Sequence, residues 1–129
     1  MVVNKKWQSQ KVNKVSPDKL EQLLKSGDFY ILDVRPSDFI KNASFIEGAY
    51  FCPLVHLANW HTKIPEDKPL IITDWAMRQS VIAAKFLQGK GYKVFGVLKG
   101  GIERWKEEHK PVEERDRFDK SNLRYIPTE

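Results

Sequence analysis

Residues 70–91, LIITDWAMRQSVIAAKFLQGKG, constrain the fold more tightly than any other stretch of the chain. The apolar run Leu70-Ile71-Ile72-Thr73 is too short for a helix and reads as a buried strand. Val81, Ile82, Ala84, Phe86 and Leu87 then recur at helical spacing, and Gly89 and Gly91 stop the segment. About six residues join the two patterns, an ordinary length for a strand-to-helix turn. In a parallel α/β sheet such a turn lies at the carboxyl end of the strands, where ligands bind. The helix start adds unpaired N–H groups and a positive dipole end, an arrangement suited to anions. The first residue out of the strand is Asp74.

The flanking sequence repeats the alternation. Ser16 reads as an N-cap, with Pro17 at the first helical position and Asp18 favoured by the dipole. Leu20, Leu23 and Leu24 form that helix's apolar stripe, and Gly27 ends it. Phe29 to Leu32 is a strand that leaves through Asp33-Val34-Arg35-Pro36, and Ser37 to Phe39 reads as a short helical turn. Ile46 to Cys52 contains a strand broken by Gly48 and closed by Pro53; Leu54, Leu57 and Trp60 suggest a short helix. Residues 64–69, with two prolines, form a loop. Lys93 to Leu98 is a further strand, and Gly101 opens a last helix with Ile102 and Trp105 facing inward. Alternating strands and helices over residues 15–110 imply one α/β domain, a parallel sheet with helices on both faces. Residues 1–14 read as a flexible basic arm. Residues 111–129 are a charged tail with scattered aromatics, either unordered or folded against the body.

Charge and cysteine content exclude several functions. Of the net charge of +5, four units lie in residues 1–14, so the body carries no basic face and no nucleic-acid partner is expected. A single cysteine, Cys52, allows neither an internal disulfide nor a cysteine-rich zinc site. His56, His61 and His109 lack ligand spacing and are read as surface residues; no metal and no cofactor is expected. The first residues lack a secretory signal core and no apolar run approaches a membrane span. A cytoplasmic location without membrane contact is the expectation, and the oligomeric state stays open.

Four features together resemble the rhodanese-like domain family. They are Leu32-Asp33-Val34-Arg35, Glu47-Gly48-Ala49 leading to Pro53, the strand–loop–helix of residues 70–88, and Gly100-Gly101-Ile102 with Trp105. The resemblance runs in order from Val15 to His109. It implies a single-domain rhodanese-like fold with a five-stranded, mostly parallel central sheet and helices on both faces. In active members of the family a cysteine opens the loop after the fourth strand. Its thiolate takes up a sulfane sulfur as a persulfide, and loop N–H groups stabilise the anion. A related phosphatase branch uses a longer loop.

Counting back from Ser80-Val81-Ile82, the catalytic cysteine position falls on Asp74. Trp75, Ala76 and Met77 replace the family's small and glycine residues, and Gln79 replaces its arginine, with Arg78 one place earlier. A carboxylate is a poor nucleophile towards sulfane sulfur and cannot store it. The expectation is a non-catalytic domain that binds a protein partner or a small anion through the loop Asp74, Trp75, Ala76, Met77, Arg78, Gln79 and Ser80, supported by Asp33 and Arg35. Asp74 is expected to accept from the loop's own N–H groups, and Arg78 to pair with Asp74, face solvent or hold an anion. Trp75 and Met77 either close the pocket or offer an interaction surface. Two alternatives are sulfur transfer through Cys52, a residue read as core, and phosphate binding or phosphatase-like activity of the same loop.

Overall fold

A computed structural model of the chain describes residues 11–36, 44–115, 124 and 126. In chain order the elements are β1 (Lys14–Val15), α1 (Pro17–Leu24), β2 (Tyr30–Asp33), β3 (Ser44–Phe45), β4 (Tyr50–Phe51), α2 (Leu57–Trp60), β5 (Leu70–Thr73), α3 (Gln79–Gly89), β6 (Val94–Leu98), α4 (Gly101–Glu107) and β7 (Glu113–Glu114). Five strands form one sheet in the order β1-β6-β5-β2-β4, and every neighbouring pair is parallel. The chain is thus a single α/β domain.

Strand side chains alternate between two cores. Ile31, Ile71 and Leu98 face one side with Leu20, Ile102 and Trp105, which seats α1 and α4 there. Leu32, Ile72 and Val97 face the other side with Leu57, Ala83, Ala84 and Leu87, which seats α2 and α3. Small Ala83 and Ala84 let α3 lie close on β5 and β6. The cap of α1 forms as its sequence requires: the Ser16 hydroxyl accepts the Lys19 N–H at 3.1 Å, behind Pro17.

Strand pairing continues past residues 15–110 at both ends. Lys14 is part of the edge strand β1 rather than of a free arm; Asn13 O accepts the Val97 N–H at 2.8 Å and Val12 packs against the core. Residues 1–10 lie outside the described residues, as does the helical turn expected at Ser37 to Phe39. The strand expected within Ile46 to Cys52 is only Tyr50–Phe51, β4, because Gly48 turns the chain ahead of it at φ +79°. The preceding strand, β3, pairs antiparallel with β7, which begins the folding of the tail onto the body. Arg115 and Ile126 are buried there, and Phe51 exchanges backbone bonds with Arg124 and Ile126 along the outer edge of β4.

Candidate functional site

β5 ends at Thr73 in mid-sheet, so the loop 74–79 opens at the carboxyl end of the parallel strands. The Asp74 side chain turns inward from there and is only 2% exposed. Its Oδ1 accepts the Met77 N–H, and its Oδ2 accepts the N–H groups of Gln79 at 2.5 Å and Ser80 at 3.2 Å. Arg78, at the N-cap position of α3, makes no side-chain cap bond. Asp74 therefore caps the helix from four residues upstream, placing a carboxylate where free amides and the dipole favour negative charge. Met77 sits at φ +72°, in the left-handed region where glycine is the easy residue. That turn is what folds the loop amides around Asp74.

Removing this carboxylate leaves three amides short of an acceptor. Asp74→Ala is expected to lower stability by about 2–3 kcal/mol, and Asp74→Asn by less, since a carboxamide oxygen still accepts. Urea denaturation of the two variants beside wild type measures the difference.

The other side of the loop is clamped by α4. Ile102 N–H donates to Asp74 O at 2.8 Å and Glu103 N–H to Trp75 O at 3.0 Å. Gly100 and Gly101 both take positive φ to bring these amides into line, and a Cβ on Gly101 would lie 2.4 Å from Trp75 O. Gly100-Gly101 was visible in the sequence as a motif, but its role as the loop's second anchor was not; two glycines ahead of a helix were the available signal.

Asp33 and Arg35 stand behind the site and do not line its pocket. They form a buried ion pair at 2.8 Å, and the Asp33 carboxylate also accepts the Arg35 backbone N–H at 3.0 Å. Arg35 donates further to Ser44 O at 2.7 Å. Burial pushes the Asp33 carboxyl up, while the Arg35 charge and hydrogen bonds draw it back; the nearby Asp74 adds a smaller upward push. Two guanidinium groups lie over the Phe45 ring, Arg35 at 5.0 Å and Arg115 at 4.4 Å from its centroid. Arg115 also donates to Ala49 O at 2.7 Å and pairs with Glu113. Sequence reasoning missed Arg115, because nothing local marks a tail arginine as buried.

Cys52 follows β4 within the core, fully buried beside Leu32 and Val34. Burial pushes its thiol up to about 12. Among the remaining loop residues, Trp75 is 42% exposed, and Arg78 and Ala76 are exposed. Met77 is half-buried against the core, and Ser80 is buried with its hydroxyl unpartnered. Arg78 does not pair with Asp74; it faces solvent at an open pocket of about 350 Å³ lined by Pro36, Asp74, Trp75, Ala76, Arg78 and Gln79. His61 is not a simple surface residue: its ring meets Phe86 and Tyr92 edge-on and its Nδ1 is buried. Among the described residues no group of His, Cys, Asp or Glu could hold a metal ion, and no helix is long and apolar enough to cross a membrane.

Fold and loop together define a parallel α/β domain with one amide cradle at a strand-end helix start. Residues 16–108 match the rhodanese-like domain family, and the chain belongs to that family. It is 30% identical over 88 residues to the thiosulfate sulfurtransferase GlpE of Coxiella burnetii, a match covering 68% of this chain and 81% of that protein. A rhodanese-related protein of Thermoplasma volcanium has the same fold, with a TM-score of 0.71 at 24% identity over 78% of this chain and 97% of the other. A Rhodopseudomonas palustris protein described as a possible tyrosine phosphatase gives a TM-score of 0.72 at 24% identity, over 88% and 98% of the two chains. At such identity these two likenesses bear on the fold alone.

Proposed function

We propose that this rhodanese-like domain performs no sulfur transfer and serves as a protein-binding module through the loop 74–79. One observation carries the reading: the amides of Met77, Gln79 and Ser80 already hold the carboxylate of their own Asp74. A sulfur anion would have to displace that carboxylate from the three amides, and a buried carboxylate offers it no soft nucleophile. The filled cradle also weighs against a small-anion site and against phosphatase-like chemistry, both of which need the same donors. The alternative of sulfur transfer through Cys52 is disfavoured by burial, since a thiol raised to about 12 supplies almost no thiolate at neutral pH. What stays accessible is the rim, with Trp75 and Arg78, residue types enriched where proteins meet.

The test is thiosulfate–cyanide turnover by wild type and Asp74→Cys. Wild type is expected to run at the buffer rate and to gain no sulfur on Cys52 by mass spectrometry. Asp74→Cys places a thiol at a helix start, where its pKa falls, and is expected to gain a thiosulfate-dependent persulfide. Turnover by wild type would overturn the proposal.

A further inference from the structure

The rim of the pocket has a definite charge. Asp74 is the acidic residue among its lining, and its carboxylate is turned to three amides. Arg78 is the basic one; it is exposed and enters no ion pair among the described residues. Pro36, Trp75 and Ala76 give the pocket an otherwise largely apolar wall. An unpaired guanidinium beside an indole and a proline matches a ligand that combines a planar carboxylate with an apolar group.

The surface continues past the pocket. Ile82, one helical turn beyond Arg78, is 58% exposed and lies on the same face of the helix. Lys85 follows on the same stripe, exposed and without an ion pair among the described residues, and the helix QSVIAAKFLQG contains no acid. Arg78, Ile82 and Lys85 thus present cation, apolar residue and cation along about 10 Å of helix, a span that the first, third and fifth side chains of an extended five-residue segment can cover from one face. A small carboxylic acid would fill the pocket and leave Ile82 and Lys85 bare. Readers of phosphorylated segments gather several arginines, whereas one lines this pocket.

We infer that the pocket and the outer stripe of α3 bind an acidic peptide segment of a partner protein, one acid meeting Arg78, an apolar side chain resting on Ile82 and a second acid meeting Lys85. This rests on the reading of the loop as a protein-binding module and names the chemistry of the partner.

The probe is an acetylated, amidated pentapeptide with glutamate at its first and fifth positions, leucine at its third and glycine between them, titrated into the isotope-labelled full chain and followed by amide NMR shifts. Saturable shifts confined to residues 75–85 are expected. Replacing the peptide's glutamates by glutamine, or Arg78 by glutamine in the protein, is expected to weaken binding by about tenfold or more. Arg78→Gln removes an exposed, unpaired side chain, so amides far from the loop should keep their shifts and report an intact fold. Absence of saturable shifts with wild type overturns the inference, as does affinity that ignores both glutamine replacements. Phenylacetate that reproduces all the shifts, Lys85 included, would also overturn it, by making the site one for a small acid. Thiosulfate turnover on the same sample reads the parent proposal separately, because an inert wild type that ignores the peptide removes the peptide assignment alone.

Discussion

Arg35→Met is expected to cost about 3–5 kcal/mol of folding stability at pH 7, because it strands the buried Asp33 carboxylate without its countercharge. The pair is almost wholly shielded, at 3% and 0% exposure, so water cannot take over from the guanidinium. The same change removes the bond to Ser44 O and one of the two cations stacked on Phe45. The sign of the pH dependence separates this cause from lost packing. Burial already raises the Asp33 carboxyl above its ordinary 3.8, and in the variant nothing draws it back. A carboxyl raised on folding contributes stability that is whole below the unfolded pKa and is lost as pH rises through the folded one. The deficit against wild type should therefore be widest near pH 7 and shrink as pH falls towards 4, where a protonated Asp33 needs no partner. Urea denaturation of both proteins across that range checks it, and a deficit that ignored pH would point to packing instead.

Gly101→Ala is expected to be nearly as damaging, at about 2–5 kcal/mol, and to act on the loop directly. At φ +66° any side chain is strained by about 1–2 kcal/mol. The new methyl would also stand 2.4 Å from Trp75 O and 2.7 Å from Asp74 O, both of them backbone atoms with little freedom to yield. Relief requires moving the loop off α4, which breaks the bonds from Ile102 and Glu103. Alongside the fall in thermal midpoint, amide shifts of residues 74–80 should therefore change far more than those of α1. A variant that lost stability with the loop shifts unchanged would show that the glycine is not an anchor of the site.

The alternation of short apolar runs with helical stripes was enough to read the parallel sheet, its two covered faces and the position of the loop after β5. These features depend on residues near one another in sequence. What stayed hidden depends on distant pairing. Lys14–Val15 is a strand only because Val97 and Leu98 lie beside it, and nothing in two residues at the end of a basic stretch announces that. Glu113–Glu114 has the composition of a solvated tail and becomes a strand against Ser44–Phe45. Arg115 reads as one more charge until Phe45 is found beneath it. In the loop, the identity of Asp74 and its suitability as an amide acceptor were legible. The clamp from Gly101 was not, since a close approach between two backbones leaves no mark beyond the glycine itself.

The backbone exchange between Phe51 and the residues Arg124 and Ile126 has a consequence for self-association. The outward backbone N–H and C=O of Phe51 are taken by its own chain and are not open to a second molecule along that border. Among the described strands the opposite border, Lys14–Val15, is two residues long and begins with a lysine, too little to template a fibril or a continuous sheet between copies.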